Sequence, residues 1–166
     1  GGVCGNQADK EGTSYITNCS NSGDITGDSA GGICGKGAGQ LGTLTIESCS
    51  NSGDITGDSA GGICGKLAGR EGTLTIKGCS NSGVISGDYV GGICGNKAGQ
   101  QGTLTITEND NGDKCENSGD ITGTDCGGIC GPGVGYWSGT VSINNCINSG
   151  TIGPDNGGIC GPYASH

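Results

Sequence analysis

Polar and apolar positions alternate along this chain only in short bursts. Thr43-Leu44-Thr45-Ile46 and Asp54-Ile55-Thr56 each send apolar side chains to one side and polar ones to the other, then stop at a turn. Period-two runs of this length predict short half-buried strands and are too brief for amphipathic helices. Asn-Ser-Gly and Gly-Asp-Ser flank them as turns, because glycine and asparagine tolerate positive φ. Three short strands and three turns are predicted in every 30 residues.

The pattern is copied as well as periodic. Cys19–Ser48 and Cys49–Gly78 are one 30-residue unit written twice with five differences, and looser copies cover the rest. The segments are a partial 1–18, then 19–48, 49–78, 79–114 with an insertion at 107–114, 115–145, and a partial capping segment 146–166. Ile25, Ile55, Ile85, Ile121 and Ile152 recur at the repeat length. So do Ile33, Ile63, Ile93, Ile129 and Ile159, and Ile46, Ile76, Ile106 and Ile143. Repetition at this period predicts units that cannot bury their apolar side chains alone and must stack. The expected fold is all-β, a single-domain β-solenoid of about five 30-residue coils, hydrogen-bonded to one another at ~4.8 Å. The pattern leaves its hand open. Cysteines every 15 residues from Cys19 to Cys94 offer a competing 15-residue coil. The strand triplet, however, begins five residues after Cys49 and nine after Cys64, so half-coils would set Ile against glycine or polar positions.

Composition narrows this to a thin stack: 41 of 166 residues are glycine, aromatics are 3%, and Phe and Met are absent. A narrow core buries little apolar area, which gives the twelve cysteines weight. Cys19, Cys49, Cys79, Cys115 and Cys146 precede Asn-Ser-Gly. Cys4, Cys34, Cys64, Cys94, Cys130 and Cys160 end Gly-Gly-Val/Ile-Cys, and Cys126 is extra. The expectation is a disulfide framework in an oxidising, extracellular or cell-surface compartment. Each Gly-Gly-Ile-Cys cysteine pairs with the next cysteine of the other class or with the previous one. The first scheme gives Cys4–Cys19, Cys34–Cys49, Cys64–Cys79, Cys94–Cys115 and Cys130–Cys146, leaving Cys126 and Cys160 to close the last turn. Zinc is disfavoured: there is no Cys-x-x-Cys, and the single histidine is His166. No metal or other cofactor is expected.

Gly31-Gly32-Ile33-Cys34-Gly35, followed by Gly42-Thr43-Leu44-Thr45-Ile46 and Cys49-Ser50-Asn51-Ser52-Gly53-Asp54-Ile55-Thr56-Gly57, resembles the glycine-rich GLUG-type repeats of microbial surface proteins. The resemblance runs nearly the whole chain and implies a secreted or wall-attached, adhesive or structural protein. Cysteine stands at Cys34, Cys64, Cys94, Cys130 and Cys160, where those repeats usually carry valine.

Four surfaces are candidates for function. Thr43 and Thr45, Thr73 and Thr75, and Thr103 and Thr105 form a Thr-x-Thr row, continued by Thr13 with Tyr15 and by Thr140 with Ser142. Two-apart residues of a strand lie ~6.6 Å apart on one face, and their copies ~4.8 Å apart in the next coil. This grid resembles, more distantly, the ice-binding faces of disulfide-rich insect antifreeze solenoids. Asp24, Asp54 and Asp120 form a ladder broken at Val84 and Thr151. The insertion Glu108–Lys114 lacks the first Asp and last Glu of a calcium loop and reads as a solvated bulge. Tyr136-Trp137 and Tyr163 read either as a cap over the last coil or as a sugar-stacking or partner-binding patch.

A net charge of −9 disfavours nucleic acid and anionic membranes. No 18-residue apolar run exists for membrane insertion, and the lack of a leader-like start suggests a mature or excised soluble piece. No Ser-His-Asp, Cys-His or phosphate-loop set is present, so no enzyme is expected. The expected function is an extracellular structural or adhesive solenoid that stacks on itself end to end or binds a surface such as polysaccharide. The alternative is an ice-binding protein using the threonine face.

Overall fold

A computed structural model describes residues 1–164; Ser165 and His166, at the end of the segment 146–166, lie outside the described residues. Among the described residues every regular element is a strand, and all pairing is parallel between coils. The first sheet is built from β1 (Thr13–Thr17), β4 (Thr43–Glu47), β7 (Thr73–Lys77), β10 (Thr103–Thr107) and β13 (Thr140–Ile143). The second contains β2 (Ser20–Asn21), β5 (Ser50–Asn51), β8 (Ser80–Asn81), β11 (Glu116–Asn117) and β14 (Ile147–Asn148). The third contains β3 (Ile25–Thr26), β6 (Ile55–Thr56), β9 (Ile85–Ser86) and β12 (Ile121–Thr122), with Ile152 bridging to Ile121 beyond it. The chain is a β-solenoid of about five turns. Thr13 pairs with Thr43 and Thr43 with Thr73, so the coil is 30 residues and not 15.

The alternation seen in sequence sets which side chains enter. Leu44 and Ile46, Leu74 and Ile76, and Leu104 and Ile106 point inward from the first sheet and are fully buried. Each such side chain contributes ~1.5–3 kcal/mol by leaving water. The three isoleucine columns do not share one core. Those of Ile33 and Ile46 lie in one cluster with the leucines and eleven of the cysteines, whereas that of Ile55 forms a second cluster with Ala30, Ala60, Val90 and Cys126.

A pinch in the coil separates them. Asn51 lies in the chain between Cys49 of the first cluster and Ile55 of the second. Gly62 lies between Ala60 of the second and Ile63 of the first. Across the coil stack, a Cβ on Gly62 would run into the Gly92 carbonyl and the side chain of Asn81. Only glycine lets the asparagine column close this neck.

The asparagines form a continuous buried ladder. Asn21, Asn51, Asn81 and Asn117 each donate from Nδ2 to the Oδ1 of the next coil's asparagine, at 2.7–2.8 Å, ending on Asn148. The same amides also donate to Gly23, Gly53, Gly83 and Gly119. Each buried amide thus meets its own copy, which satisfies groups that could not be left unpaired in an interior.

Candidate functional site

The first sheet turns three ranks of side chains outward. Thr13, Thr43, Thr73, Thr103 and Thr140 stand in register in one unbroken rank. Tyr15, Thr45, Thr75, Thr105 and Ser142 make the second, and Thr17, Glu47, Lys77 and Thr107 the third. The imperfect continuation at Thr13 and Thr140 is therefore a true structural continuation. Among the described residues, no hydroxyl of the threonines in the first two ranks makes a hydrogen bond inside the protein, so each is free for an external partner. Charge enters only on the third rank, at Glu47 and Lys77.

The aspartates of the adjoining corner are committed internally. Oδ1 of Asp24 accepts the N–H of Asp54 at 3.0 Å, and Asp54 accepts that of Val84 at 2.8 Å. Asp120 accepts the N–H of Thr151. A second column, not singled out in sequence, does the same four residues on: Asp28 to Asp58, Asp58 to Asp88, and Asp88 to Thr124. Carboxylates that bridge coils in this way are stacking devices.

The cysteines depart from expectation. All twelve are free thiols, and none of the pairs Cys4–Cys19, Cys34–Cys49, Cys64–Cys79, Cys94–Cys115, Cys130–Cys146 or Cys126–Cys160 is formed. The reason is register. Cys4, Cys34, Cys64, Cys94, Cys130 and Cys160 bridge one to the next along the axis, so each stacks on its own copy instead of reaching across the coil. The second class stacks likewise: the N–H groups of Cys19, Cys49 and Cys79 point at Sγ of Cys49, Cys79 and Cys115 at 3.4–3.5 Å. Cys126 and Cys160 belong to different clusters, Cys126 filling the position of Ala30, Ala60 and Val90. A hydrogen bond to Cys64 and burial hold the Cys34 thiol well above its ordinary value; burial alone is the main cause at Cys126. The Cys34 and Cys126 thiols are thus protonated and packed. Among the described residues no group of three His, Cys, Asp or Glu side chains is placed to hold a metal ion.

The insertion is less solvated than its composition suggests. Asn109 is buried: its Oδ1 accepts the N–H groups of Asn111 and Asp113, and its Nδ2 donates to Asp113 and to Ser48, two coils back. Lys77 pairs with Asp110 at 3.4 Å. The loop passes over Gly78 (φ 53°), where a Cβ would come within 2.7 Å of the Asn109 amide.

The aromatic residues of the last coils are largely exposed. Trp137 is 62% and Tyr163 76% exposed. Tyr136 and Tyr163 meet Tyr89, from an earlier coil, around an open groove. The contribution of Tyr89 was not visible from its isolated place in the sequence. Compared with known proteins, the chain matches no family model, no curated protein and no solved structure.

Proposed function

We propose that this chain is an extracellular, non-enzymatic structural or adhesive β-solenoid, working through repeating faces and able to stack with further copies into fibres. The observation that carries this reading is the first sheet's outward lattice: one five-residue threonine rank and a second rank of threonine with Tyr15 and Ser142, in register. Contacts repeated at coil spacing suit a ligand that is itself repetitive, a polysaccharide or an ordered solid, because many weak contacts form together once the first is made. The expected partners are another copy of the chain or such a surface. Placement outside the cell rests on the resemblance of the repeat unit to microbial surface repeats.

Ice is the second reading, favoured by one specific feature. The first two ranks carry no charge, and the hydroxyls of their threonines are unpaired among the described residues, whereas Ser142 Oγ accepts from Asn144 Nδ2 at 2.7 Å. One set of samples tests both: adsorption to insoluble polysaccharide, negative-stain microscopy, and ice-crystal shaping with thermal hysteresis. Adsorption or thin filaments with round ice crystals support the structural or adhesive reading. Faceted ice from dispersed particles, abolished by Thr45→Arg and Thr75→Arg, replaces it with ice binding. Neither adsorption, nor filaments, nor faceting sinks both.

A further inference from the structure

At one corner the repeat abandons its own residues. Ser29 and Ser59 are followed in the next coil by Tyr89. Gln40, Arg70 and Gln100 are followed by Tyr136, and the position held by Gly37 and Leu67 becomes Lys97 and later Tyr163. The equivalence is structural: Ser29, Ser59 and Tyr89 each donate their N–H to the same position of the following coil. Three successive coils thus each bring one tyrosine to a groove of about 300 Å³, whose rim also carries Asn96, Lys97 and Asp125.

These rings do not serve the core. Tyr89 is 43%, Tyr136 38% and Tyr163 76% exposed. Tyr89 and Tyr163 also sit at φ 62° and 59°, a region that costs free energy for a bulky side chain. Lys97 lies 5.6 Å from the Tyr136 ring centroid, a cation–π contact that braces the groove wall.

We propose that this groove is a binding site for a neutral saccharide of one or two pyranose rings. The inference names a ligand class for the adhesive reading and rests on it. A pyranose has an apolar C–H face and a rim of hydroxyls. Tyrosine offers a flat apolar body and a polar tip to match it. Asp125 supplies an acceptor and Lys97 a donor. Asn96 donates its amide to Ser59, which leaves its side-chain oxygen to accept from a sugar hydroxyl. A wholly apolar ligand would strand these groups without partners, and an anionic one would meet a chain of net charge −9. The volume lies at the low end of the roughly 300–1,000 Å³ typical of small-ligand pockets, which sets the size at one or two rings.

The test titrates short neutral gluco-, manno-, xylo- and chito-oligosaccharides, read by calorimetry and by fluorescence of Trp137, whose ring centroid is 5.2 Å from that of Tyr136. At least one series should bind saturably. The double variant Tyr89→Ser/Tyr136→Gln restores residues the repeat itself carries at Ser59 and Gln100, so the fold should be kept, as circular dichroism melting checks. It should lose about tenfold or more in affinity. No binding by any series, or equal binding by a folded variant, overturns the proposal. Adsorption of the same samples to insoluble polysaccharide separates the two ideas. Adsorption lost on Thr45→Arg/Thr75→Arg but kept in the tyrosine variant leaves the adhesive reading standing when the groove fails. Oligosaccharide binding without adsorption or filaments leaves the groove standing when the adhesive reading fails.

Discussion

Replacing Asn81 by alanine breaks the asparagine ladder at its middle. Asn81 is 1% exposed; its Oδ1 accepts from Asn51, and its Nδ2 donates to Gly83 and Asn117, all at 2.8 Å. Alanine removes three hydrogen bonds at once and leaves a partner group at each. A buried donor or acceptor stripped of its partner costs ~1–3 kcal/mol. The Asn51 amide keeps its bond to Gly53, so its share falls at the low end, and the Gly83 carbonyl lies beside the neck. A total of ~3–5 kcal/mol follows. For a chain of this size each kcal/mol moves the melting midpoint by roughly 2–4 °C, so Asn81→Ala should lower it by about 6–20 °C. Far-UV circular dichroism melts and urea midpoints, compared with Asn21→Ala at the partly exposed first rung, provide the assay. Asn21 donates to Gly23 and Asn51 but accepts from no asparagine below it, and its substitution should cost distinctly less. Equal effects, or a loss under about 1 kcal/mol for Asn81→Ala, would refute the view that cooperative burial of the amides holds the neck.

Three further outcomes are expected. Val84 interrupts the aspartate column, so Val84→Asp should offer an acceptor to the N–H of Asp120 and raise stability by roughly 0.5 kcal/mol; a lower urea midpoint would mean that carboxylate repulsion wins. Asn109→Ala should release the 108–114 loop and make it a site of proteolytic nicking while the melting curve of the coils changes little; resistance equal to wild type would show that Lys77–Asp110 alone holds it. Burial raises the Cys126 thiol, so the folded chain keeps that proton after the unfolded chain begins to lose it near pH ~8.5. Stability from this group is complete below that pH and declines as pH rises, with a slope of up to ~1.4 kcal/mol per unit. Cys126→Val, the residue found at Val90, should flatten the alkaline decline in reductant; an unchanged slope would refute the assignment.

The coil length and the inward isoleucines were legible because they depend on local alternation and on exact recurrence. Three features were not. Asn51 and its copies read as turn residues, since an Asn-Ser-Gly string is the same whether its amide faces water or another amide 30 residues away. The cysteine count pointed to cross-links, but in-register stacking sets each cysteine of the two repeat-locked classes on its own copy, and spacing along the chain cannot display that. The corner groove escaped for a related reason. Tyr89, Tyr136 and Tyr163 are far apart in sequence, and only the coil register brings them together. The aspartate ladder was visible in sequence, but the backbone N–H that each carboxylate accepts from the next coil had no sequence signature.

Near-identical coils carry a hazard that the insertion removes. Coils 19–48 and 49–78 differ at five positions, so a nascent chain could dock a strand one coil out of place and still match nearly every column. Such slipped pairings are energetically close to the native one and are slow to undo. Only one alignment, however, seats Asn109 on Ser48 and lays its loop over Gly78. The loop acts as an index mark on an otherwise translationally degenerate rod, fixing which copy stacks on which.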